Sequence, residues 1–263
     1  MKLVISDVDG TLAKDDKSIP EEFFKIAHEL KGQGVRFGIA SGRQYAKLYS
    51  TFKDLGDDTF YLAENGALIY EGQKLLKSSC LSDEIAIKAC NKTLGHDHLK
   101  CYVAGLKASY VISNDPKIYK EVSLYCENLL TLDNYEELKD KGPFLKVAIL
   151  DLSHKALKSY ELFKDLKALA NVMVSDDRWI DVNSFDATKG KALAYIKERY
   201  GYRYEDCVAF GDYGNDVALL KEAYYSYAMD NGTKEVKNTA RFLCPSNNDE
   251  GVIKTLKKLY HLC

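Results

Sequence analysis

Asp7-Val8-Asp9-Gly10-Thr11, directly behind the apolar run Leu3-Val4-Ile5, places two carboxylates two residues apart where a short strand gives way to a turn. Side chains two apart on an extended chain project to the same side. Like charges held that close resist ionising together unless a cation neutralises them. Such a pair suits a bound metal ion, or a division of labour between an ionised nucleophile and a protonated acid. An Asp-rich turn that only closes a strand has the same composition, so residues farther along must decide. Three more segments carry candidate chemistry: Ser41-Gly42-Arg43, Lys189, and Gly211 to Asp216 with its acids Asp212 and Asp216 and the amide Asn215.

The elements around these segments follow a strand–helix rhythm. Residues 2–6 read as a buried strand ended by Gly10. Ser18 with Glu21 makes a capping box ahead of Phe23, Phe24, Ile26, Ala27 and Leu30 on a helical period. Residues 35–40 form the next strand, and a second helix carries Tyr45, Leu48, Tyr49 and Phe52. Strand, helix, strand is the unit of a parallel sheet with right-handed crossovers. Near Phe60 the rhythm changes: Glu64-Asn65-Gly66 separates two strand-like runs as a hairpin signal. Residues 82–184 then read as helix, strands, helix, strand, helix, strands, with helices from Asp115-Pro116 and over 156–170 and the clearest strand over 145–152. The first rhythm returns with a helix over 189–200, a strand over 207–210, a helix carrying Val217, Leu219 and Leu220, and a strand over 224–229. The simplest organisation is a discontinuous α/β core, 1–81 and 185–263, interrupted by an α+β domain over 82–184. Asp7/Asp9, Ser41, Lys189 and the Asp212–Asp216 segment then all fall at C-terminal strand ends or in adjacent loops, the edge where open α/β sheets bind ligands.

The bulk properties narrow the setting. A chain of 263 residues with 46% hydrophobic and 29% charged residues suits an ordinary globular protein of one large or two smaller domains. A net charge of −2 gives no general reason to bind nucleic acid or an anionic membrane. The cysteines at 80, 90, 101, 126, 207, 244 and 263 show no CxxC and no dense spacing, so neither a zinc site nor a disulfide framework is expected. With no signal peptide and no apolar run of membrane-spanning length, a reduced cytoplasm is the expected location. His96-Asp97-His98 reads as a polar loop before a strand.

With these residues in order, the chain resembles the haloacid dehalogenase superfamily of phosphatases, and more narrowly its Cof-type branch (class IIB). DVDGT resembles the first motif, Ser41 in ASGR the second, Lys189 in DATKG the third, and GDYGND the fourth; AENGALIY over 63–70 matches a stretch usual in the Cof-type branch. The resemblance implies a Rossmann-like parallel-sheet core with an inserted C2-type cap domain, joined near 78–82 and 183–188. It implies an Mg²⁺-dependent phosphatase of small phosphorylated metabolites, sugar phosphates or related compounds. Asp7 would attack phosphorus and form an aspartyl-phosphate, dividing a very slow hydrolysis into two displacements. Mg²⁺ would be held by Asp7, Asp212 and the backbone carbonyl of Asp9. Lys189 would pair with Asp7 and phosphate, while Ser41, the Gly42 N–H and Asn215 would hold phosphate oxygens. Asp9 would protonate the departing alkoxide and then take a proton from water. A dehalogenase generally lacks an acid there, so Asp9 favours phosphoryl transfer to water.

Several roles stay open at this level. Thr11 either orients Asp9 or stabilises the turn. Asp216 either orients Lys189 or a metal-bound water, ligates the metal, or complements a helix N-terminus. Arg43 reaches substrate, pairs across the cleft or lies on the surface. Trp179 faces the leaving group or packs between cap and core. Phe185 and Asp186, where relatives often carry a Pro or Gly followed by Val-Ser or Val-Asn, are positions where the cap entrance would differ. Two other functions compete: a phosphomutase that returns the phosphoryl group to a sugar, and a phospho-accepting signalling module.

Overall fold

Strand β1 (Leu3–Asp7) is buried along its whole length, and its alternate residues serve two different cores. Val4 packs with Phe23, Phe37 and Leu256 on one face of the sheet, whereas Leu3 and Ile5 pack with Leu62, Leu193 and Leu219 on the other. A near-continuous apolar strand is what a parallel sheet covered on both faces requires. The computed structural model describes every residue except Asn114, Tyr125, Glu127, Asp176 and Cys263.

From β1 the chain runs through α1 (Glu21–Gly32), β2 (Arg36–Ala40), α2 (Tyr45–Phe52), β3 (Phe60–Ala63), β4 (Leu68–Glu71) and β5 (Lys74–Ser78). The middle of the chain forms α3 (Asp83–Asn91), β6 (Leu99–Gly105), β7 (Ser109–Val111), α4 (Pro116–Ser123), β8 (Leu129–Thr131), β9 (Phe144–Asp151), α5 (Ala156–Ser159), β10 (Asn171–Val174) and β11 (Trp179–Asn183). It closes with α6 (Lys189–Tyr200), β12 (Cys207–Gly211), α7 (Val217–Lys221), β13 (Tyr225–Met229), α8 (Lys234–Thr239), β14 (Phe242–Cys244) and α9 (Gly251–Tyr260). An eight-stranded sheet has the order β14-β13-β12-β1-β2-β3-β4-β5, and a six-stranded sheet the order β10-β11-β9-β6-β7-β8. In the first sheet the strands from β14 to β3 are parallel, so β1, β2 and β12 present their C-terminal ends together. All strands of the second sheet come from one uninterrupted stretch of chain. One of its faces packs Val147 and Ile149 against Ala86, Ala89 and Phe163. The other carries Tyr102, Ala148 and Trp179 and turns toward the first sheet.

The α/β class and parallel core are as expected from the sequence, with local differences. Ser18 does not cap α1: Pro20 occupies the N-cap without a side-chain bond, and the Ser18 hydroxyl donates to Asp16 at 2.5 Å. The helix expected over 156–170 is one α-turn followed by 3₁₀ turns over Tyr160–Ala168. Strands β5 and β14 and helix α8 have no expected counterpart. Two are sheet-edge strands, and exposed or three-residue edges carry little alternation to read. The six described cysteines are free, and no described helix is long and apolar enough to cross a membrane.

Candidate active site

Asp7 ends β1, Ser41 follows β2, Asp212 follows β12, and Lys189 is the first residue of α6, whose N-terminus is capped by the Thr188 hydroxyl accepting from the Lys191 N–H at 3.1 Å. Lys189 is 0% exposed, and its Nζ donates to Asp7 Oδ1 and to Asp216 Oδ1, each at 2.6 Å. Asp7 and Lys189 stand 182 residues apart in the chain and meet because the parallel strands share one end.

Electrostatically this is an unbalanced cluster. Ligand oxygens of Asp7, Asp212 and Asp216 lie within 4.8 Å of one another, against a single ammonium group. Burial and the Asp216 charge raise the Asp7 carboxyl well above its ordinary range, with Lys189 opposing. Burial and the same neighbour push Asp212 up to about 7. For Lys189 burial acts downward, but the charges of Asp216 and Asp7 outweigh it and raise the ammonium pKa. The second oxygen of Asp216 accepts from the N–H groups of Asp212 at 3.0 Å and Tyr213 at 3.2 Å. The contacts of Asp216 are with Lys189 and with these two N–H groups of the turn before it. Gly10, at φ +78°, lies under Asp212, where a Cβ would run into the carboxylate.

Asp9 sits beside this cluster, held by Arg43. The guanidinium donates from Nε to Oδ2 at 2.8 Å and from Nη2 to Oδ1 at 2.6 Å, and Lys17 adds a bond at 3.3 Å. Burial alone would raise the Asp9 pKa; the two cations overcome it and hold the carboxyl below its usual value. Arg43 thus pairs within the cleft. The hydroxyl of Thr11, one expected partner of which was Asp9, is buried and donates to Asp212 Oδ1 at 2.8 Å. Ser41 is buried, and its hydroxyl accepts from the Arg43 N–H at 3.2 Å. Asn215 donates to the side-chain oxygen of Asn65 at 3.1 Å.

Asn65 was not singled out from the sequence, although the Glu64-Asn65-Gly66 signal marks its turn. Glu64 and Asn65 are buried non-glycine residues at φ +50° and +58°, a conformation that costs free energy and needs support. Support comes from the Ser41 loop: the Glu64 N–H donates to Arg43 O at 3.0 Å and the Asn65 N–H to Ser41 O at 2.9 Å. A cavity of about 620 Å³ opens over these groups, bounded below by Asp7, Asp9, Ser41 and Asp212 and above by Tyr102, Lys146, Ala148, Trp179 and Asp181. Trp179 both packs in the core beneath the second sheet and lines this cavity. Phe185 and Asp186 are absent from its wall; Phe185 is exposed and Asp186 pairs with Lys191 at 2.8 Å. Lys146 and Asp181 were missed in the sequence, where the available signal was a charge in the interior of each of two largely apolar strands.

A family model described as haloacid dehalogenase-like hydrolase matches residues 4–256. The 5-amino-6-(5-phospho-D-ribitylamino)uracil phosphatase YbjI of Escherichia coli is 30% identical over 265 residues, covering 98% of this chain and 96% of that protein. The Bacillus subtilis phosphatase YcsE, named for the same compound, is 27% identical over 261 residues, covering 98% of this chain and 95% of its own. The crystal structure of a Streptococcus mutans protein, 26% identical, superposes with a TM-score of 0.90 over 99% of both chains.

Proposed function

The chain belongs to the haloacid dehalogenase-like hydrolases, in the Cof-type branch, with relatives named as phosphatases, and from that premise we propose an Mg²⁺-dependent phosphatase of small phosphorylated metabolites that works through an aspartyl-phosphate on Asp7. The observation that carries the proposal is Lys189, buried between Asp7 and Asp216 at 2.6 Å from each, with Asp212 in the same cluster. The residues fit a dication. Three carboxylates face one ammonium, and oxygen donors with this charge suit Mg²⁺ better than a soft metal. Asp7, Asp212 and the Asp9 carbonyl would hold it, and when bound it would neutralise the repulsion between the Asp7 carboxylate and a phosphate dianion.

The chain's own groups divide the remaining work. Lys189 fixes one Asp7 oxygen and leaves the other for attack on phosphorus. Ser41, the Gly42 N–H and Asn215 hold the transferred phosphoryl group, and Asn65 orients the Asn215 amide. Asp9 must carry a proton in the first step and accept one in the second. The Arg43 fork holds it ionised, the form suited to the second step; a phosphate dianion beside Ser41 competes for that guanidinium and loosens its hold, so that Asp9 takes up a proton from solvent before the first. The domain over 82–184 acts as the cap, covering the cavity and excluding water. The ribityl phosphate named for the E. coli and B. subtilis relatives supports a hydroxyl-bearing leaving group. Free thiols suit a cytoplasmic location.

Thr11→Val removes the hydroxyl that orients Asp212 while keeping its volume. It is expected to weaken Mg²⁺ binding by about 10–100-fold, measured by titration calorimetry and by the Mg²⁺ dependence of phosphate release. Unchanged affinity would mean that the Thr11 bond does not position a ligand. The function itself is tested by phosphate release from a panel of sugar phosphates, nucleotides and p-nitrophenyl phosphate, with Mg²⁺ or EDTA. Metal-dependent release without a bisphosphate activator supports hydrolysis over mutase chemistry. Release that persists in EDTA would overturn the metal-dependent reading, and a stable aspartyl-phosphate without turnover would favour the signalling module.

A further inference from the structure

A lysine and an aspartate lie within two fully buried strands of the second sheet. β9 and β11 are buried at every position, and their register pairs Asp181 with Ala148 and Asn183 with Lys146. On the other side of β9, Tyr102 of β6 pairs with the same Ala148. The row Tyr102–Ala148–Asp181 therefore has two large side chains flanking a methyl group, and the gap above Ala148 forms the roof of the cavity.

The charges at this roof are only partly matched. Lys146 Nζ donates to the Gly42 carbonyl at 2.7 Å and lies 3.0 Å from Glu64 Oε2, but it stands 3.8 Å from Asp181 Oδ1. Asp181 Oδ2 accepts from Asn65 Nδ2 at 2.7 Å. One ammonium proton and one carboxylate oxygen thus face each other across a gap too long for a hydrogen bond. A hydroxyl placed between them accepts from Nζ and donates to Oδ1. A carbonyl can only accept, an ammonium meets Lys146, and a second phosphate or a carboxylate meets the negative charges of Asp181 and Glu64. Leaving a buried charge pair half-satisfied is costly unless a ligand or water completes it.

Resting on the phosphatase reading above, we infer that Lys146 and Asp181 form the leaving-group subsite and bracket a hydroxyl of an uncharged polyhydroxylated group, with Tyr102 and Trp179 supplying apolar walls. The Lys146 bond to Gly42 ties recognition of that hydroxyl to the loop that holds the phosphoryl group. Ala148 sets the depth of the subsite.

The test compares pentitol and hexose phosphates, their deoxy analogues and p-nitrophenyl phosphate in the wild type, Lys146→Met, Asp181→Asn and Ala148→Leu. Lys92→Met, which breaks an ion pair with Asp165 outside the cavity, is the charge control. Each roof variant should lower the kcat/KM ratio of polyol phosphate to p-nitrophenyl phosphate at least about tenfold, chiefly through KM, and Lys92→Met should not. The deoxy analogue lacking the bracketed hydroxyl should be insensitive to Lys146→Met and Asp181→Asn. Ala148→Leu fills the roof without touching a charge, so it guards against misfolding of the charge variants. Calorimetric affinity for the same phosphates, measured with Asp7→Asn in every background, reads the subsite without turnover. An unchanged ratio and unchanged relative affinities would overturn the subsite, even with phosphatase activity intact. Selective affinity without any Asp7-dependent release would keep the subsite and sink the phosphatase reading instead.

Discussion

Asp7→Asn is expected to lower phosphate release by at least about 10⁴-fold and, in EDTA, to raise the melting temperature. The two effects have one origin. Asp7, Asp212 and Asp216 crowd their oxygens within 4.8 Å while Lys189 supplies the single opposing charge, an arrangement that suits a metal and a phosphate better than the bare protein. Asparagine keeps the size of the side chain and an oxygen for Lys189, but it removes the carboxylate proposed to attack phosphorus. It also removes one of the like charges that destabilise the metal-free fold. The pH dependence has a definite sign. Asp212, pushed from 3.8 up to about 7, holds its proton longer when folded than when unfolded. Stability contributed by this group is therefore present at low pH and lost as pH rises through the window from about 4 to 7. Asp7 is raised in the same sense and adds a slope of its own, so Asp7→Asn should flatten the total by removing that titration, and saturating Mg²⁺ should flatten it in the wild type. Melting curves from pH 4 to 8, with EDTA and with Mg²⁺, measure this directly. Near-normal phosphate release by Asp7→Asn would remove the nucleophile assignment. An unchanged slope in EDTA would show that the cluster is not the source of the strain.

Asp7, Ser41 and Asp212 sit at strand ends, and strands in a parallel sheet are locally legible in the sequence. Val4 and Ile5 announce β1, and once the parallel order is accepted Asp7, Ser41 and Asp212 must converge. What local reading could not supply was the partner of each side chain. Thr11 bonds Asp212 across 201 positions of sequence, while its nearer neighbour Asp9 is taken by Arg43. Lys146 and Asp181 were invisible for a related reason. Their meaning depends on the register of β9 with β11 and on which face of the second sheet turns toward the first. Glu64 and Asn65 show a third case: the hairpin signal was real, but their left-handed backbone follows from bonds to the Ser41 loop. Local propensity predicts elements; the pairing of buried polar groups is decided by the assembled fold.

That distinction makes Lys189 the most demanding test. Lys189→Met places an apolar chain of similar length at a position with no solvent access, leaving Asp7 and Asp216 buried without their cation. Removing one member of a buried ionic group costs about 3–5 kcal/mol, which for a chain of this size corresponds to a fall in melting temperature of roughly 10 °C. Phosphate release should fall by at least about 10³-fold, because the charge opposite the transferred phosphoryl group is gone. These losses have different causes and can be separated. Lys189→Met with Asp216→Asn removes a charge of each sign, and the amide oxygen of the new side chain can still accept from the N–H groups of Asp212 and Tyr213. The double variant should regain more than half of the lost stability, a coupling expected between residues in direct contact, and should stay as inactive as Lys189→Met. Recovery of activity along with stability would make Lys189 a structural cation only. Failure to recover stability would mean that the Asp216 charge is not what Lys189 balances, and an orienting role for Asp216 would fall with it.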